Sequence, residues 1–120
     1  MEGIKSYHDL ELWKKSMDLA VNIYNLTSGF PQSELYGLTS QMRRAAVSIP
    51  SNVAEGSSRS STKELLQFLN ISNGSLSEIE TQLEIALRLN YLKPNDIQQE
   101  INHIRSMLFG LMKSLKNKMR

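Results

Sequence analysis

The chain has 120 residues, no cysteine and a formal net charge of +2. That length suits a single domain, spanning 1–120, with a core of its own, and the missing cysteines exclude disulfides and thiolate metal sites. No run approaches the roughly 18 consecutive apolar residues of a membrane span, and Met1–Lys15 lacks the pattern of a signal peptide, so a cytoplasmic protein without membrane contact is expected.

The first helix is expected from about Asp9 to Ser28, closed by Gly29, Phe30 and Pro31. At about 100° per residue, Leu10, Trp13, Met17, Ala20 and Tyr24 share one face. Leu12, Leu19, Ile23 and Leu26 form another, roughly 120° away. Together these arcs are about twice what one bundle core uses. Surplus apolar surface on a small domain points to a partner. The Leu12, Leu19, Ile23 and Leu26 face is therefore expected to meet another copy, unless it packs beneath the termini.

The second helix is expected from about Ser33 to Glu55, with Gly56 as a left-handed stop. Leu35, Leu38, Met42, Ala45, Ala46, Ile49 and Val53 form its apolar stripe. Pro50 lies inside that stripe, removes one backbone donor and crowds the Ala46 carbonyl, so a kink is expected. Gln41, Arg44, Ser48, Asn52 and Glu55 share one side, with Arg43 elsewhere. They read either as a recognition cluster or as a hydrogen-bonded network fixing helix or subunit register. The second is favoured because no nucleophile–base pair accompanies them.

The third helix opens on a capping box, Ser61 to Glu64, and is expected to reach about Asn90. Its stripe holds Leu65, Leu69, Leu76, Ile79, Leu83 and Ala86, with Ser72 and Ser75 where small residues permit close approach. Ile71, Ile85 and Leu89 make a smaller second patch. The fourth helix is expected from near Pro94 to near Lys116. Short loops and the absence of strand-like alternation give an all-α, antiparallel up-and-down four-helix bundle.

A di-metal bundle site needs two Glu-x-x-His units and two further glutamates. Only Glu100 to His103 fits, and the other histidine, His8, precedes the first helix. No phosphate-binding loop or nucleophile motif is present. Neither catalysis, nor a metal, nor any other cofactor is expected. From Ile101 onward there is no acidic residue, against Arg105, Lys113, Lys116, Lys118 and Arg120. Arg105, Lys113, Lys116 and Arg120 fall within an arc of about 80°. Such a stripe can track phosphates; equally, cations are favourable near any helix C-terminus. Lys14 and Lys15 are secondary candidates.

The run from Tyr36 to Gly56 followed by Arg59, with the segments Leu10–Lys14, Glu64–Ser72, Gly74–Glu78 and Glu80–Leu83, resembles the bacterial four-helix bundle protein family, also called the intervening-sequence protein family of large-subunit ribosomal RNA genes. The resemblance covers nearly the whole chain. It implies a four-helix bundle assembling as a homopentamer. It also points to a relative, the accessory variability determinant of diversity-generating retroelements, a basic barrel-like pentamer that binds nucleic acid and a reverse transcriptase. The family pattern maps onto Gln41, Arg43, Arg44, Ser48, Asn52, Glu55, Gly56 and Arg59, which it implies are architectural or interfacial. The function expected is a non-enzymatic homo-oligomer that binds RNA or DNA through basic surfaces. The alternative is a scaffold for a protein partner such as a reverse transcriptase.

Overall fold

Four helices make up most of the computed structural model, which describes residues 6–119. They are α1 (Glu11–Thr27), α2 (Leu38–Ser57), α3 (Thr62–Arg88) and α4 (Ile97–Lys118), with short 3-10 turns at Tyr7–Asp9 and Gln32–Glu34. Each helix packs on its neighbours in sequence and α4 closes onto α1; no diagonal pair approaches closely among the described residues. Side-chain bonds set the antiparallel register. Arg43 reaches Thr27 between α2 and α1, Ser72 reaches Ile49 between α3 and α2, Gln98 reaches Glu80 between α4 and α3, and Asn22 reaches Glu100 between α1 and α4. The result is an up-and-down bundle about 48 Å long.

The core resolves the double apolar face of α1, and reverses the expected assignment. Leu12, Leu19 and Ile23 are buried inside the single chain, at 4%, 0% and 0% exposure, so they are not available to another copy. Leu26 packs partly buried against the same core. Ser16 and Thr27 complete this inward face; each hydroxyl donates at 2.7 Å to the carbonyl one turn back, of Leu12 and Ile23. A hydroxyl satisfied within its own helix packs as a small apolar group. The run 12, 16, 19, 23, 27 thus forms one continuous seam, and Met17, Val21 and Tyr24 are left facing outward.

The ends of the helices also differ from expectation in instructive ways. α2 starts at Leu38, because the chain first makes the 3-10 turn at Gln32–Glu34. Gly37, at the N-cap, offers no side chain. Glu34 supplies the missing acceptor, taking the Leu38 N–H at 3.1 Å. α2 runs through the buried Pro50 and ends at Ser57. Gly56 is not a left-handed stop but a helical residue pressed against α3. A Cβ there would lie 2.8 Å from the Phe68 Cβ and 2.9 Å from the Leu65 Cδ1. Glycine is needed for close approach, not for its backbone freedom.

The left-handed stop sits elsewhere. Asn90, with φ of 60°, terminates α3. The Tyr91 N–H returns to Ala86 O at 3.0 Å and the Asn90 N–H to Leu87 O at 3.1 Å, the paired bonds of a Schellman motif. At the other end of α3 the Glu64 N–H donates to Ser61 Oγ at 3.0 Å, as the capping box requires. α4 begins at Ile97, its N–H held by Asn95 Oδ1, so Pro94 lies ahead of the helix.

Candidate functional site

The polar residues of α2 do not form one network. They divide into three groups. On the α3 side, Asn52 Nδ2 donates to Ser48 O at 2.8 Å and Ser48 Oγ at 2.9 Å, and Ser75 Oγ donates to the same Ser48 hydroxyl at 2.8 Å. On the α1 side, Arg43 donates to Thr27 Oγ1 and Tyr24 O and lies 4.7 Å over the Tyr24 ring. At the helix end, Glu55 pairs with Arg59 at 2.6 Å, and the Arg59 guanidinium covers the Phe68 ring. Gln41 and Arg44 remain exposed beside a polar recess between α2 and α3 that Glu78 also lines. The Ser48–Ser75 and Arg43–Thr27 bonds join α2 to its neighbours, whereas the Asn52–Ser48 and Glu55–Arg59 bonds each span four residues of the chain. The Ser48 and Ser75 hydroxyls bond one another, and the serine–histidine contact at Ser6 and His8 lies within a turn two residues long, where Ser6 Oγ also accepts the His8 N–H.

Two larger recesses flank α1. Between α1 and α4 a cavity of about 550 Å³ is lined by Lys15, Asp18, Glu100 and His103. There Asn22 Nδ2 donates to Glu100 Oε1 at 2.8 Å, joining α1 to α4. Among the described residues no three histidine or acidic side chains are grouped to hold a metal ion. Between α1 and α2 an apolar recess of about 410 Å³ is lined by Trp13, Met17, Val21, Tyr24, Val47 and Pro50. Met17, Val21, Tyr24 and Val47 are all at least 40% exposed. Clustered apolar exposure of this kind marks contact surfaces. The signal was present in the sequence as the second face of α1; Val47 carried none, being a lone apolar residue outside the α2 stripe.

The basic residues of α4 are likewise separated by the fold. Arg105 turns into the α3–α4 seam, where its side chain is 22% exposed. It pairs with Glu80 at 3.1 Å and reaches Ser77 Oγ at 3.3 Å. The Gln98 amide at 2.6 Å, joined by Arg105, holds the Glu80 carboxyl below its ordinary value against the opposing effect of burial. Arg105 is therefore charge-compensated by α3. Lys14 pairs with Glu11 at 3.9 Å, and Lys15 faces the α1–α4 recess. Lys113 and Lys116 are exposed and line a recess of about 520 Å³ with Asn70, Phe109, Met112 and Asn117. Among the described residues neither has an acid within ion-pair distance. Lys118 lies about 160° around the helix from Lys116 and about 140° from Lys113 by ordinary helix geometry, and Arg120 lies outside the described residues. Phe109 is half exposed between these lysines; as a lone aromatic off the stripe it carries no periodic signal in the sequence.

The sequence model of the 23S rRNA-intervening sequence protein family matches residues 8–110. The chain belongs to that family. A crystal structure of a protein of unknown function from the S23 ribosomal protein family, from Bacteroides thetaiotaomicron VPI-5482, superposes with a TM-score of 0.78 at 25% identity, covering 85% of this chain and 95% of the other. No curated protein matches the chain. Membership and the solved structure agree with the four-helix fold. The matched span ends at Gly110, so the 23S rRNA-intervening sequence likeness carries no statement about Lys113 and Lys116. No helix among the described residues is long and apolar enough to cross a membrane.

Proposed function

We propose that this protein is a non-enzymatic binding subunit that associates with copies of itself and holds nucleic acid against the basic end of α4. The observation that carries this reading is the pair Lys113 and Lys116, exposed on an acid-free stretch of helix with no ion-pair partner among the described residues. Ammonium groups left free of local acids can displace counterions from a phosphate backbone. Self-association is supported by two apolar surfaces: the α1–α2 recess, and Ile85 with Leu89 at the C-terminal end of α3, 43% and 49% exposed. A recess on one copy meeting a patch on the next is a heterologous contact, which closes into a ring when the rotation permits. The pentamer implied by the family resemblance is such a ring. Repetition would multiply one modest basic surface into a large positive field. A cytoplasmic site of action goes with this reading.

The test is a titration of labelled RNA and DNA at increasing salt. The proposal expects binding at low salt that weakens linearly in log–log form as salt rises. Binding that never appears, or that is unchanged by salt, removes the electrostatic account. The protein-binding scaffold, for a partner such as a reverse transcriptase, would then be the better reading, with the α1–α2 recess as its surface.

A further inference from the structure

We infer that the recess beside α4 takes single-stranded nucleic acid, with an unpaired base stacked on Phe109 and the adjoining phosphates against Lys113 and Lys116. The inference rests on the nucleic-acid reading above and adds the form of the ligand and the group that recognises it.

Phe109 stands apart from the other two phenylalanines. Phe30 is buried at 8% and packs on Tyr91, while Phe68 carries the Arg59 guanidinium on its ring. Phe109 is 51% exposed. The α4 core is complete without it, since Ile97, Ile101, Ile104, Leu108, Met112 and Leu115 fill the buried stripe. An exposed phenylalanine in a helix contributes little to stability, and Phe109 lines the recess with half its surface exposed.

Its neighbours are those a nucleotide requires. Lys113 and Lys116 follow at four and seven residues, about 40° and 20° to either side of Phe109 on the helix. Ring and ammonium groups therefore share one face. Asn70 from α3 and Asn117 from α4 line the same recess and can donate to and accept from base edges. Aromatic rings flanked by cations bind single strands because every base has a stacking face and every linkage a charge. A duplex keeps its base faces covered and offers the ring nothing, so the geometry selects unpaired strands. The rim also argues against a contact between copies: protein interfaces are depleted in lysine at their centre, whereas this ring sits between two. The α1–α2 recess, lined by apolar side chains, has the opposite character.

The experiment measures binding of labelled oligothymidylate, and of the same strand in duplex, by fluorescence anisotropy. It uses the whole chain and the variants Phe109→Leu, Phe109→Trp and Lys113→Gln/Lys116→Gln. Phe109→Leu should weaken single-strand binding about tenfold while leaving duplex affinity as it was. Phe109→Trp should retain single-strand binding, and its added indole emission should be quenched when the strand binds. Single-strand affinity unchanged in Phe109→Leu, or an unquenched indole, overturns the stacking inference and leaves the electrostatic reading standing. Wild-type protein that binds neither probe, or a double lysine variant that binds both as wild type does, overturns that reading and this inference together. A Phe109→Leu protein that sediments as a smaller species assigns the ring to contact between copies and also overturns it.

Discussion

Tyr91 donates its phenolic proton to Glu34 Oε2 at 2.7 Å, joining the loop that precedes α2 to the turn that follows α3. The other oxygen of the same carboxylate accepts the Leu38 N–H at the start of α2. Phe30, from the α1–α2 connection, packs on the Tyr91 ring with centroids 5.4 Å apart. One end of the bundle is therefore latched by three loop residues. Asn90 makes the latch possible, since its left-handed turn delivers Tyr91 back over the helix end.

Tyr91→Phe keeps the ring on Phe30 and removes only the hydroxyl, so it should lower the melting temperature without changing the fold. The pH dependence follows from both partners. The Tyr91 hydrogen bond, with the Leu38 N–H, holds Glu34 below its ordinary value of 4.5, so its contribution is full above 4.5 and fades as pH falls through the lowered value. The bond to Glu34 raises Tyr91 above 10.0, so that contribution is full below 10.0 and fades as pH rises through the raised value. The melting gap between wild type and Tyr91→Phe should be constant between those limits and narrow outside them. Thermal denaturation monitored by circular dichroism across pH checks this; a gap that widens in acid contradicts the latch.

Two glycines in helices should respond oppositely to alanine. At Gly56 the added methyl meets α3, and overpacking of this kind costs about 1–3 kcal/mol, against a helix-propensity gain of at most about 1 kcal/mol. At Gly74 a Cβ meets nothing within 4 Å, so the propensity gain of about 1 kcal/mol stands alone. Urea denaturation should show Gly56→Ala destabilised and Gly74→Ala stabilised.

The two faces of α1 separate stability from assembly. Leu19→Ala opens the core and should cost about 2–5 kcal/mol. Met17→Ser and Val47→Ser alter the exposed recess and should leave monomer stability within about 0.5 kcal/mol, while lowering the sedimenting mass. Sedimentation and denaturation on the same samples distinguish these outcomes.

The bundle was legible because apolar residues recur at helical spacing on α2, α3 and α4, and glycine, proline and capping residues separate the segments. The inward face of α1 was not, because Ser16 and Thr27 read as polar breaks until their hydroxyls are seen bonded within the helix. Gly56 was legible as special but not as to cause, since the cause is a neighbouring helix. Arg105 read as one of a basic row because its position on the helix gives no hint of Glu80, 25 residues earlier, across the seam. Local pattern records the period of a helix; it does not record what stands opposite.

The most direct test of the central claim is the salt dependence of single-strand binding in three proteins: wild type, Lys113→Gln/Lys116→Gln, and Arg105→Gln. Each lysine that neutralises a phosphate contributes about 0.7 to the log–log slope on a single strand. The account predicts that the double lysine variant loses about 1.4 from that slope and binds more weakly at low salt, while Arg105→Gln, already compensated by Glu80, keeps the wild-type slope. A double lysine variant with the wild-type slope would contradict it.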